Sequence, residues 1–89
     1  MDFNLKTKQS DDRVKLLSEL ETGGRFKIIK INAGGEIRRR LLDIGFIKNQ
    51  EGKIIREALL RDPIELEIKG TMVSLRRSEA RLINVVEQD

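Results

Sequence analysis

Lysine, arginine, aspartate and glutamate supply nearly all the reactive groups of this chain, which has no histidine and no cysteine. Cys-His and Ser-His catalysis, thiolate metal sites and disulfides are therefore excluded. Positive charge is densest at Arg38-Arg39-Arg40. Guanidinium pairs bidentately with carboxylate or phosphate and sheds water readily, so such a run suits docking of an acidic partner. The competing reading is a solvated helix face with Glu36 and Asp43 as local counter-charges. Exposed pairs contribute only about 0–1 kcal/mol, so stability alone is a weak reason for three arginines. Leu42 sits off the main apolar face, as either an exposed anchor or a second core contact. Arg61-Asp62-Pro63 reads as a turn that could also recognise a partner, and Arg76 and Arg77 suit phosphate or an acidic helix.

Other chemistries find less support. Gly34-Gly35 lacks both the dinucleotide glycine pattern and the P-loop lysine pattern. No nucleophile–base pair stands out, so no enzyme and no cofactor is expected. Ferrous iron is generally held by imidazole and carboxylate. Only carboxylates are present, and Glu65 and Glu67 share a strand face with Lys69, which reads as a solvated surface. No metal site is expected.

The arginines need a helix to carry them. Ile37, Leu41 and Ile44 are spaced as one helical face, committed on this reading to a sheet below. Glu36 suits the helix N-terminus, and Gly45 stands where a left-handed C-terminal cap belongs. So short a helix is marginal alone and must be packed on something. The surrounding segments read as strands. Residues 25–31 change phase after Ile28, which calls for a bulge or burial on both faces. Residues 53–60 read as a strand rich in Ile and Leu on both faces, and Arg61-Asp62-Pro63 breaks the run. Ile64, Leu66 and Ile68 alternate with Glu65, Glu67 and Lys69; Gly70 then marks a hairpin turn into residues 71–75. Residues 76–81 read as a helical turn, and Ile83, Val85 and Val86 as a last strand. The entry segment from Val14 to Leu20 is open between helix and strand.

These elements predict a mainly β domain of about five short strands, closed so as to remove its edges, with an inserted helix and a helical turn before the last strand. Residues 1–13 are polar and read as a flexible arm; residues 14–89 form the one domain. With 89 residues, 18 basic against 15 acidic, the net charge is +3. That is compatible with an acidic partner without requiring one. Aromatics make up 3%, all phenylalanine, so stacking platforms for single-stranded nucleic acid are nearly absent. No run approaches the roughly 20 apolar residues of a membrane span, and no signal peptide is seen, so a cytoplasmic location is expected.

Four separated motifs resemble one family. They are Leu16-Leu17-Ser18-Glu19-Leu20, the run from Arg38 to Phe46, Asp62-Pro63-Ile64-Glu65, and Ser74-Leu75-Arg76-Arg77-Ser78-Glu79-Ala80. In this order they resemble the FeoA family of bacterial ferrous-iron transport, and the resemblance covers everything from Val14 on. It implies an SH3-like β-barrel fold. It also implies an accessory or regulatory role in Fe(II) uptake, through the cytoplasmic GTP-binding region of the membrane transporter FeoB. Arg38, Arg39, Arg40 and Leu42 are then the expected contact residues, with Arg61, Asp62, Arg76 and Arg77 as further candidates. Ile37, Leu41, Ile44, Gly45, Pro63 and Gly70 are expected to be structural. A nucleic-acid-associated adaptor, or a regulatory domain like that of iron-dependent repressors, is the alternative. The balance of acidic and basic residues weighs against it.

Overall fold

The computed structural model describes residues 13–89. The expected arm therefore lies outside the described residues, save Arg13. Six strands form one antiparallel sheet: β1 (Val14–Leu16), β2 (Arg25–Ile31), β3 (Glu51–Glu57), β4 (Ile64–Ile68), β5 (Thr71–Leu75) and β6 (Ile83–Gln88). Their order is β1-β6-β2-β3-β4-β5. Helix α1 (Gly35–Ile44) joins β2 to β3, and the single turn α2 (Arg77–Ala80) precedes β6. Two 3-10 turns, Leu17–Glu19 and Leu59–Arg61, complete the domain.

The expectation of five closed strands is corrected in two ways. Val14–Leu16 adds a sixth strand on β6, and β1 and β5 do not pair, so the hydrogen-bonded ladder stays open. The entry segment is both things the sequence left open: a short strand, then a 3-10 turn.

Burial follows the two-residue period. In β4 Ile64, Leu66 and Ile68 are buried while Glu67 is exposed. The phase change in β2 is a bulge. Phe26 and Ile28 are inward, the register with β6 shifts between Ile28 and Lys30, and Ile31 is inward again. One extra residue in a strand flips everything after it, so the bulge is what keeps Ile31 in the core. Lys69 and Gly70 connect β4 to β5 with φ of 54° and 73°. Two successive positive φ values make the two-residue hairpin turn whose twist matches its strands.

The strand expected over residues 53–60 is corrected too. β3 begins earlier, at Glu51, and ends at Glu57; Leu59–Arg61 is a 3-10 turn. Leu59 and Leu60, expected at the end of a strand with Ile and Leu on both faces, are 88% and 90% exposed. Backbone hydrogen bonds from Arg61 N to Ala58 O (2.8 Å) and from Ala58 N to Pro63 O (2.9 Å) close the loop instead. The Asp62–Pro63 peptide within it is cis.

Candidate functional site

Helix α1 is held by its C-terminal half. Leu41 is buried, Ile44 is partly buried, and the chain turns sharply at Gly45, whose φ is 125°. The Phe46 amide donates to Leu41 O (3.0 Å) and the Gly45 amide to Leu42 O (3.1 Å). This is the Schellman pattern, which satisfies the last carbonyls and sends Phe46 into the core. The N-terminal half lifts clear. Ile37, expected to be committed to the sheet, is 44% exposed. Helical periodicity says which way Ile37 points, but nothing about how far the sheet extends beneath it.

The three arginines separate. Arg38 Nη1 donates to Ile31 O at 3.2 Å, tethering the helix to the end of β2. Arg40 pairs with Glu79 of α2. Arg39 has no ion pair among the described residues. The half-exposed Leu42 follows it one turn on along the helix surface, and Ile37 is exposed further round the helix. A groove of about 400 Å³ runs between α1 and β2. Ile29, Leu42 and Phe46 contribute its apolar lining; Lys30, Arg38 and Lys48 border it with positive charge. Such a surface accepts apolar side chains flanked by carboxylates.

A second cluster gathers around Arg77, whose side chain is only 14% exposed. Its Nε donates to Arg61 O (2.8 Å), its Nη1 to Ser18 O (2.6 Å) and its Nη2 to Glu57 Oε2 (2.7 Å). The Arg77 amide donates to Asp62 Oδ1 at 3.0 Å. One side chain thus ties both 3-10 turns to the end of β3. Glu57 also faces Arg61 Nε at 3.5 Å. Leu60 and Arg61 are held at φ of 64° and 65°. Left-handed backbone costs a residue with a Cβ roughly 1–2 kcal/mol, and it persists only where the surroundings over-determine it.

The sequence pattern of the FeoA domain matches residues 15–87. The chain belongs to the FeoA family. A FeoA-family relative in Campylobacter jejuni, provisionally named Fe2+ transport protein A, is 41% identical over 69 residues. The match covers 78% of this chain and 93% of the relative. A second relative, in Porphyromonas gingivalis, is an Fe2+ transport protein A/FeoB transporter fusion. It is 39% identical over 69 residues, 78% of this chain but 8% of the fusion. The solution structure of Chlorobium tepidum FeoA superposes with a TM-score of 0.79 at 37% identity. That superposition covers 84% of this chain and 71% of the other. The FeoA of Stenotrophomonas maltophilia, described as an SH3 domain protein, superposes at 0.71 with 26% identity over 81% and 93% of the two chains. The fold is thus SH3-like, and the family is one of Fe2+ transport.

Within this FeoA domain the candidate residues fall into two groups. Arg38, Arg39, Arg40 and Leu42 lie together on α1. Arg61, Asp62, Arg76 and Arg77 lie together around the Leu59–Arg61 turn. In the second group Arg77 and Asp62 are engaged internally, whereas Arg61 and Arg76 are exposed. Leu59 and Leu60 were missed, because an apolar run before a proline reads as strand. The signal that could have found them is the same proline: a breaker three residues on leaves little room for Leu60 in a ladder. Among the described residues no three carboxylates stand close enough to hold a metal ion, and no helix is long and apolar enough to cross a membrane.

Proposed function

We propose that this chain is a cytoplasmic accessory protein of ferrous-iron uptake that docks on the cytoplasmic, GTP-binding region of a FeoB-type transporter and catalyses no reaction itself. The observation that carries this reading is the Porphyromonas gingivalis fusion, where an Fe2+ transport protein A and FeoB share one chain. A tether of that kind raises the effective concentration of two modules without any new contact, which is useful where the modules act together. The whole fusion is far longer than the part matched here, so the partner is an inference from the shared domain.

The surface assigned to docking is the outer side of α1. A small sheet domain does not need this helix for closure, and the helix contributes mainly Leu41 to the core. It leaves Ile37 and Leu42 exposed, Arg39 without an ion pair among the described residues, and a positively bordered apolar groove lined in part by Leu42. Arginine next to partly exposed apolar anchors is the composition of an interface centre. Arg38 and Arg40 are tied to Ile31 and Glu79, so Arg39 and Leu42 are the contact residues of choice.

The test is a calorimetric titration of the full chain against FeoB from the same cell, reconstituted in nanodiscs. Arg39→Ala/Leu42→Ser is expected to keep its circular dichroism spectrum and bind at least about thirtyfold more weakly, the weight of a hot spot. Wild-type affinity in that folded variant would move the docking surface off α1. Absence of any binding by the wild type would remove FeoB as partner.

A further inference from the structure

The Leu59–Leu60 tip takes no part in the α1 surface. Two adjacent leucines are 88% and 90% exposed, far more than the other exposed large hydrophobic side chains, of which Met72 at 53% comes next. Their exposure does not come from slackness. Leu60 is in the left-handed region at φ 64° and ψ 21°, and Arg61 follows at φ 65°. The loop is closed below the tip by the backbone pairs of Ala58 with Arg61 and Pro63. Arg77 grips Arg61 O, and Asp62 accepts from the Arg77 amide. A projecting apolar pair on a locked, conformationally unfavourable backbone is built to be presented.

We propose that Leu59 and Leu60 form a rigid docking wedge that enters a preformed apolar pocket with a carboxylate rim on the FeoB-type transporter, as a second contact beside α1. This rests on the FeoB reading above. Three features favour a protein pocket. Preorganisation cuts the ordering cost only when the receiving surface has a fixed shape; fluid lipid accepts a slack loop as readily. Arg61, in the tip loop, and Arg76, next to Arg77 in the chain, are exposed, with the 3.5 Å contact of Arg61 to Glu57 as their one ion pair among the described residues; together they outweigh the exposed Asp62, one of whose oxygens is taken by the Arg77 amide, so a matching rim is acidic. The fused relative places the same domain on one chain with the transporter.

The test uses the full chain and FeoB-loaded nanodiscs, with empty discs of the same lipids beside them. Leu59→Ser/Leu60→Asn removes the apolar pair and puts at residue 60 a side chain that tolerates positive φ. Leu59→Ala leaves that backbone untouched and keeps the proposal testable should the double variant misfold. Expected are an unchanged or higher melting point, binding to loaded discs at least about thirtyfold weaker in the double variant, and a partial loss in Leu59→Ala. Undiminished binding by both folded variants, with Arg39→Ala/Leu42→Ser still impaired, overturns the wedge and leaves the FeoB reading standing. No binding by the wild type overturns both. Equal wild-type binding to loaded and empty discs, lost in the variants, makes the tip a lipid contact and overturns the wedge. A concentration-dependent dimer in ultracentrifugation that the variants abolish makes it a self-association surface, and overturns it as well.

Discussion

Replacing Arg77 with alanine removes three hydrogen bonds at once, to Arg61 O, Ser18 O and Glu57 Oε2. A hydrogen bond involving a charged group contributes about 1.5–3 kcal/mol, but three made by one side chain do not add independently. Breaking a buried ion pair costs about 3–5 kcal/mol because it strands the remaining charge. Here Glu57 is 19% exposed and retains Arg61 at 3.5 Å, so the cost belongs at the low end, about 3 kcal/mol. In a domain of this size each kcal/mol moves the melting midpoint by about 4–8 °C, so Arg77→Ala should melt roughly 12–24 °C lower. Arg77→Lys should fall between, since an ammonium can reach Glu57 but cannot fork to two carbonyls as well. Thermal unfolding by circular dichroism gives the midpoint, and hydrogen exchange at the Arg61 amide reports whether the loop has come loose. An Arg77→Ala midpoint equal to that of wild type would refute the reasoning: the network would then be worth no more than the water that replaces it.

Gly52→Ala has no room: a Cβ there would lie 2.5 Å from Phe26 Cζ and 2.7 Å from Glu67 O. Overpacking of that kind costs about 1–3 kcal/mol, and because a backbone oxygen is involved Phe26→Leu should rescue the midpoint only in part; full rescue would place the whole conflict on the ring. At Gly45 the space is ordinary, 3.5 Å to Lys69 Cδ, and the constraint is φ 125°. Gly45→Val should therefore lose about 1–2 kcal/mol or more through the backbone alone, and Gly45→Asn less. Equal denaturation midpoints for the two would remove the cap as the cause.

Most of the fold is legible along the chain, as β4 and α1 make clear. Alternation at Ile64, Leu66 and Ile68 and the spacing of Leu41 and Ile44 are local signals. A two- or 3.6-residue period survives in the chain whatever it packs against. The bulge in β2 is legible for the same reason, as a phase error in an otherwise regular pattern. The absence of histidine and cysteine excludes whole chemistries however the chain folds. The arginine run, too, is visible as a concentration of charge.

What the sequence could not assign was the use of each residue, because use depends on neighbours distant along the chain. Arg77 and Arg39 read alike, yet Arg77 meets Ser18, 59 residues away, while Arg39 forms no ion pair among the described residues. Ile37 obeys the helical period and is still 44% exposed, because only the C-terminal half of α1 is held against the core. Leu59 and Leu60 carry the apolar character of a strand. Long-range contacts from Arg77 and the closure at Pro63 turn them outward instead, with Leu60 on a left-handed backbone. Periodicity belongs to the chain; exposure, pairing and presentation belong to the tertiary contacts that only folding brings together.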